Sequence, residues 1–251
     1  RAENAADHAD ELFDLYGFRD IKFKNGVLTP EEEIRSVRLM RERLAGRLRY
    51  LRIDPNAVWS VETSIRVLNE LADYDLEFCE DPTWGIEGMS LVRQRTPVPL
   101  ATNMCCVTFE QIPLAVRTRA LDVILGDVHF WGGPSSVLQL AKVCETFNIG
   151  MSLHSDRELG ISTAAVLHVA AAEPMVSHSI DTHLIEQADD IITVPFEFRD
   201  GRLDVPTGPG LGVEIDQDKL RFYHEYHREH GEASEFADAM QADFRAKFPK
   251  F

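Results

Sequence analysis

Lys22 and Lys24 stand two residues apart in Ile21-Lys22-Phe23-Lys24, so in a strand both ammonium groups share one face and Ile21 and Phe23 the other. Like charges side by side disfavour double protonation: either anions neutralise them, or one lysine has a lowered pKa and serves as a base near neutral pH. Oxygen-bearing words follow at Asp54-Pro55-Asn56, Glu80-Asp81-Pro82 and Ala101-Thr102-Asn103. Asp54, Glu80 and Asn103 together are the hard-oxygen set that Mg²⁺ selects while keeping positions open for water and substrate. Glu87 is a substitute ligand candidate, although a helix-start Glu also serves the helix dipole. Asp127, in Asp127-Val128-His129-Phe130-Trp131, and His154, in His154-Ser155-Asp156, supply another pair. A carboxylate bonded to one imidazole nitrogen fixes the tautomer and raises the basicity of the other nitrogen. His183, in Asp181-Thr182-His183, suits a substrate hydroxyl or carboxylate. His129 and His178 read as structural histidines and His168 as a helix-face residue, while His224, His227 and His230 read as a solvated helical face.

The elements that must position these groups alternate. Apolar runs at 20–24, 50–54, 76–80, 98–103, 123–127, 150–154 and 176–183 read as strands, and 30–44, 60–71, 86–94, 109–116, 134–147 and 161–172 as helices. The spacing suits parallel strands with crossover helices, and each group named above then falls at or near the C-terminal end of its strand. The pattern predicts an α/β fold, a TIM-like (β/α)7β barrel whose first strand lies upstream of residue 1. A doubly wound open sheet competes, but its usual Gly-rich nucleotide-binding turn is absent. Residues 1–194 are expected to form the barrel and 195–251 a tail, with a hairpin at 196–205, a loop at 206–212 and a helix at 218–229. Beyond Gly231 the charged, Ala-rich end reads as either helix or disorder.

Composition narrows the class. With 251 residues, 44% hydrophobic and 27% charged, the chain can bury a large core, which excludes disorder, collagen and coiled coil. A net charge of −16, from 42 acidic against 26 basic residues, argues against nucleic acid and anionic membranes as partners. Cys79, Cys105, Cys106 and Cys144 lack CxxC or zinc spacing and read as reduced thiols of a cytoplasmic protein. No apolar run approaches the roughly 20 residues of a membrane span, and there is no signal pattern. The chain lacks an initiator Met and opens inside a helix, so it is expected to be part of a longer one.

At the level of the K-x-K strand, Asp54-Pro55-Asn56, Glu80-Asp81-Pro82, Asn103 and the Asp127/His154 pair, the sequence resembles the enolase superfamily. Within it, the sequence resembles the glucarate dehydratases in Phe23-Lys24-Asn25-Gly26-Val27, Ala101-Thr102-Asn103-Met104, Asp127-Val128-His129-Phe130-Trp131, Ser152-Leu153-His154-Ser155-Asp156, Ile180-Asp181-Thr182-His183 and Pro209-Gly210-Leu211-Gly212-Val213-Glu214-Ile215. The resemblance runs from about residue 11 to about residue 231. Enolase-superfamily sites with a Lys or His base and Mg²⁺ are a known pattern rather than a deduction from this chain.

The resemblance implies an upstream α+β capping domain, a homo-oligomer and Mg²⁺-dependent dehydration of a small acid sugar, with glucarate giving 5-keto-4-deoxyglucarate. Asp54, Glu80 and Asn103 would hold the metal. Lys24 would take the α-proton, with Lys22 neutralising the substrate carboxylate and lowering the pKa of Lys24, and Asp127-supported His154 would act from the opposite face. Asn56, Asn103, Ser155, Asp156 and His183 would join Lys22 around the substrate. The same groups support epimerisation, dehydration of another aldarate or aldonate, or a weakly active paralogue serving as a subunit or scaffold. A Schiff-base aldolase would use a barrel lysine without the three-oxygen set. One departure is that 230–238 lacks the Arg-containing word of glucarate dehydratases and carries acids instead, which implies altered handling of a distal carboxylate.

Overall fold

The computed structural model describes residues 2–156 and 158–231. Six strands pair in chain order and all in parallel: β1 (Asp20–Lys24), β2 (Tyr50–Asp54), β3 (Leu76–Glu80), β4 (Leu100–Thr102), β5 (Val123–Gly126) and β6 (Gly150–Leu153). Helix α1 (Ala2–Tyr16) precedes them. α2 (Pro30–Arg43), α3 (Val61–Glu70), α4 (Ile86–Arg93), α5 (Ile112–Thr118), α6 (Pro134–Phe147) and α7 (Gly160–Ala172) follow the strands in turn, and α8 (Gln217–His230) lies in the tail. Sequential order without a switch point is a singly wound barrel arrangement, here a partial barrel, and excludes the doubly wound alternative.

Side-chain alternation divides the interior into two cores. Leu51, Ile53, Cys79, Leu100, Ile124, Met151 and Leu153 pack outward against the helices, whereas Phe78, Ala101, Val123 and Leu125 form a smaller inner cluster. The same alternation continues upward from the inner cluster to Glu80, Asn103 and Asp127. The helices start where the chemistry predicts. Thr29 caps α2 by accepting from the Glu32 N–H, with Pro30 and three glutamates in the first turn, and Ser60 caps α3. The Asp10 and Asp14 carboxylates of α1 pair with Arg47 at 2.6 Å each, which fastens α1 beside α2.

Four expectations change. Residues 176–183 make a single bridge to the sheet, Met151 to Val176, and no strand. The Ser179 carbonyl is taken by side chains, accepting from Arg52 Nη1 at 2.7 Å and Ser152 Oγ at 3.1 Å, so it is not available to a neighbouring strand. Strand β4 is shorter than 98–103 because Pro97 and Pro99 have no N–H to give. The hairpin at 196–205 shrinks to one bridge, Arg199 to Arg202, around Asp200-Gly201, and 109–116 divides into a 3₁₀ turn (Phe109–Gln111) and α5. Gly201 rests on the end of α1, where a Cβ would lie 2.7 Å from the Gly17 carbonyl oxygen. The tail helix forms as α8, capped by Asp216. The readings of 232–251, including the missing Arg-containing word at 232–238, lie outside the described residues. All four cysteines are free and buried, and burial pushes the Cys106 thiol up to about 11. No helix among the described residues is long and apolar enough to cross a membrane.

Candidate active site

Register sets the first contacts. Lys24 pairs with Asp54 across β1 and β2, and its Nζ bonds the Asp54 carboxylate and Asn56 Oδ1, the latter at 2.9 Å. Lys22 Nζ lies 2.8 Å from Glu80 Oε2, 2.9 Å from Asp181 Oδ2 and 3.2 Å from Asp54 Oδ2. Burial opposes the charge on Lys22, but Asp181, Glu80 and Asp54 outweigh it and raise its pKa well above the ordinary lysine value. Of the two options open to a lysine pair, Lys22 thus takes neutralisation by anions.

Glu80 feels the opposite balance. Burial and the Asp54 charge push its carboxyl up to about 8 despite Lys22. Asn103 Nδ2 donates to Glu80 Oε1 at 2.6 Å, and Glu80 Oε2 is left to the Lys22 ammonium. Asp81 acts as a brace rather than a ligand: it accepts from Thr102 Oγ1, Asn103 N and Met104 N, which fastens the end of β4 beside β3. Three carboxylates, Asp54, Glu80 and Asp181, thus crowd around the Lys22 ammonium, and Lys24 shares Asp54 with it. That crowding of acids, which the raised Glu80 carboxyl registers, together with a buried Asp181 Oδ1 that has no hydrogen bond, fits a divalent cation. No group of three His, Cys, Asp or Glu side chains among the described residues is arranged as a ready metal cage. The fit therefore rests on two carboxylates and an amide, and Asn103 presents its nitrogen to Glu80, so as a ligand it would have to turn its oxygen inward. Glu87 instead sits in the first turn of α4, lining a 350 Å³ cavity with Trp84, Met104 and Cys105.

Just past β5 and β6, Asp127 Oδ2 lies 2.8 Å from His154 Nδ1, and Asp127 Oδ1 accepts from the His129 N–H at 2.6 Å and the Phe130 N–H at 3.2 Å. The Phe130 ring stacks on His154 at 6.3 Å. Burial pushes the His154 pKa down, but the Asp127 hydrogen bond and the charges of Asp181 and Glu80 overcome it, so the net shift is upward. Because burial is the largest opposing effect and the Asp127 hydrogen bond the largest one raising the value, Asp127→Asn is expected to lower the His154 pKa. Titration of the His154 ring by ¹⁵N NMR checks this. An unchanged value would mean that Asp127 does not set the charge state.

Ser155 is committed to the scaffold: its hydroxyl donates to Glu158 Oε2 and accepts from the His183 N–H, both at 2.9 Å. Asp156 is exposed, and its N–H bonds Glu158. His183 Nδ1 sits 2.9 Å from Glu186. His129 bridges Asp127 to Ser162, His178 bonds Glu77, and His168 bonds the Leu211 carbonyl. His224, His227 and His230 are exposed on α8.

Sequence reasoning singled out His183 in Asp181-Thr182-His183 and passed over Asp181, which holds Lys22. The available signal was electrostatic: a buried lysine beside two carboxylates invites scrutiny of every acid at neighbouring strand ends. The Arg52–Glu77 ion pair beneath the site was hidden for another reason. Two residues of β3 oppose one of β2 between the Leu51–Leu76 and Ile53–Cys79 pairs, so Glu77 meets Arg52 where strict alternation would turn it away.

This arrangement of lysine pair, acids and dyad at consecutive strand ends places the chain by family. It belongs to the Enolase C-terminal domain-like family, which matches residues 4–219. It is 47% identical over 209 residues to a probable glucarate dehydratase of Streptomyces coelicolor, covering 83% of this chain and 48% of that protein. A crystal structure of an enolase from Thermobispora bispora complexed with magnesium and formate is 46% identical, with a TM-score of 0.87 over 92% of this chain and 55% of that one. An enolase from Pseudomonas fluorescens with bound magnesium, potassium and tartrate is 38% identical, with a TM-score of 0.88 over 98% of this chain and 58% of that one. The chain spans about half the length of the curated relative, 48%.

Proposed function

We propose that the chain carries the catalytic barrel of a Mg²⁺-dependent, glucarate-type acid-sugar dehydratase, a cytoplasmic homo-oligomer. One observation carries the reading: Lys22, Lys24, Asp54, Glu80 and Asn103 meet at one end of the strands where the Asp127–His154 pair also stands. Mg²⁺ held by Asp54, Glu80 and Asn103 supplies, when bound, positive charge that stabilises a substrate carboxylate as the adjacent C–H bond breaks.

The side chains divide the remaining work. Lys24 Nζ takes the α-proton, and Lys22 balances charge at the carboxylate. His154, drawn toward imidazolium by Asp127, donates its Nε2 proton to the departing β-hydroxyl, so that the C–O bond breaks and water leaves. The resulting enol tautomerises to a keto-deoxy acid, which from glucarate is 5-keto-4-deoxyglucarate. With the other epimer His154 would act as a neutral base at the α-carbon, while for the epimer whose proton Lys24 takes, the upward shift of its pKa suits the acid role. Asn56, on the turn after β2, and His183 bind substrate hydroxyls, with Asn103 and Asp156 completing the surround, and Ser155 positions His183 through its backbone N–H.

A distal carboxylate needs its own cation or donors, because an unpaired buried charge weakens binding severely. With acids in place of the Arg-containing word at 230–238, the full-length protein is expected to dehydrate glucarate measurably, with kcat/KM below about 10⁴ M⁻¹s⁻¹. Acid sugars with less distal charge should fare relatively better. Steady-state kinetics on mono- and dicarboxylate sugars with Mg²⁺ test this. Efficient glucarate turnover with inert monocarboxylates would show that another group serves the distal end, and no keto product from any acid sugar would end the dehydratase reading.

A further inference from the structure

Three glutamates open α2, and two of them serve its exposed first turn. Glu33 does not: it is 1% exposed, and a buried carboxylate is costly unless hydrogen bonds compensate it. Its Oε1 accepts from the Val27 N–H at 3.0 Å and the Leu28 N–H at 3.1 Å. Burial raises its pKa, and these N–H groups, with the Asn25 amide and the Gly26 N–H, pull it back. Thr29 already caps the helix by accepting from Glu32 N, so helix capping leaves the depth of Glu33 unexplained.

The segment bonded to Glu33 begins at the residue after Lys24. The Asn25 N–H continues the ladder to the Asp54 carbonyl at 2.8 Å. Gly26, at φ +81°, lies so close to the next turn that a Cβ would clash with Val58 and stand 2.7 Å from the Pro55 carbonyl oxygen. That turn carries Asp54 and Asn56, the two partners of the Lys24 ammonium. The 25–28 loop therefore touches both ends of Lys24, its backbone and the groups that receive its Nζ.

We propose that Glu33 is a positioning residue for Lys24: its buried carboxylate fixes the 25–28 loop against the Pro55–Val58 turn and so holds Nζ between Asp54 and Asn56. The catalytic consequence rests on Lys24 being the base proposed above. Charged acceptors bind N–H groups more strongly than neutral ones, so Glu33→Ala and Glu33→Gln should be graded, because glutamine keeps one acceptor oxygen.

In the full-length protein, Glu33→Ala should speed amide hydrogen exchange of residues 25–28 about tenfold or more. It should slow α-proton exchange with solvent deuterium about tenfold on the Lys24 side of the substrate, leave the His154 side within about twofold, and be largely rescued in Glu33→Gln. Unchanged protection of 25–28, an unchanged Lys24 side, or an equal fall on both sides would overturn the proposal. If Glu33→Ala does not fold, Glu33→Gln against wild type carries the same comparison at about threefold. If Lys24→Arg leaves α-proton exchange intact, the base assignment fails separately. The rate of reductive methylation of Lys24, read by mass spectrometry, then decides the positioning claim: it should rise several-fold in the Glu33 variants, and an unchanged rate overturns it.

Discussion

Lys24→Arg is expected to abolish deuterium exchange at the α-carbon of one substrate epimer while sparing the other, and His154→Asn to do the reverse. Arginine keeps the cation that pairs with Asp54, so the folded site survives, but it does not give up a proton near neutral pH. Asparagine at 154 keeps a polar group beside Asp127 while removing the imidazole. General bases contribute roughly 10²–10⁴-fold, so each variant should lose at least two orders of magnitude on its own side. The opposition follows from the topology. Lys24 ends β1 and His154 follows β6, the two edge strands of the curved sheet, with Asp54 and Glu80 on strands between them. His154 is buried, and the charges of Asp181, Lys22 and Glu80 all act on it. ¹H NMR of the substrate in D₂O reads both rates. Unchanged exchange in both variants would place the bases elsewhere, and loss on both sides in either variant would show a damaged site rather than a missing base.

What the sequence could reveal depended on whether a group acts locally or through partners brought from afar. Strand alternation was enough to place Lys22, Lys24, Asp54, Glu80, Asn103, Asp127 and His154 at one end of a parallel sheet, because period-two order and the strand-end rule are local. The segment 176–183 misled for the converse reason. Its apolar Val176 and Ile180 look strand-like, but Arg52 and Ser152 compete for its Ser179 carbonyl, and both are contributed by other strands. Asp181 and Glu77 are significant only through Lys22 and Arg52, so neither stands out along the chain. The brace made by Asp81 is similar: its carboxylate reads as a turn acid until the Thr102 hydroxyl and the Asn103 and Met104 N–H groups arrive from β4 and its following loop. Glu33 shows the same limit at close range, since a third glutamate in a first turn resembles dipole charge, and only the return of the 25–28 loop buries it.

Mg²⁺ is expected to bind the wild-type protein and to lose its site in each of Asp54→Asn, Glu80→Gln and Asn103→Leu. A ligand at 100 times its Kd stabilises the folded state by about 2.7 kcal/mol, which in a chain of this size raises Tm by roughly 5–10 °C. That shift, and the heat of Mg²⁺ binding by calorimetry, should vanish in all three variants, but their metal-free behaviour should differ. Glu80→Gln removes one of the crowded carboxylates that burial and Asp54 already disfavour in charged form, so its metal-free Tm should equal or exceed that of wild type. Asp54→Asn leaves Lys22 and Lys24 short of a shared anion and should lower it. Asn103→Leu leaves both carboxylates in place and removes the amide with its hydrogen bond to Glu80, so binding retained there would assign the third oxygen to Asp81 or Asp181 rather than to Asn103. Mg²⁺ bound with undiminished affinity by Asp54→Asn and Glu80→Gln would sink the proposed site, and the acids crowded around Lys22 would then need another counter-ion.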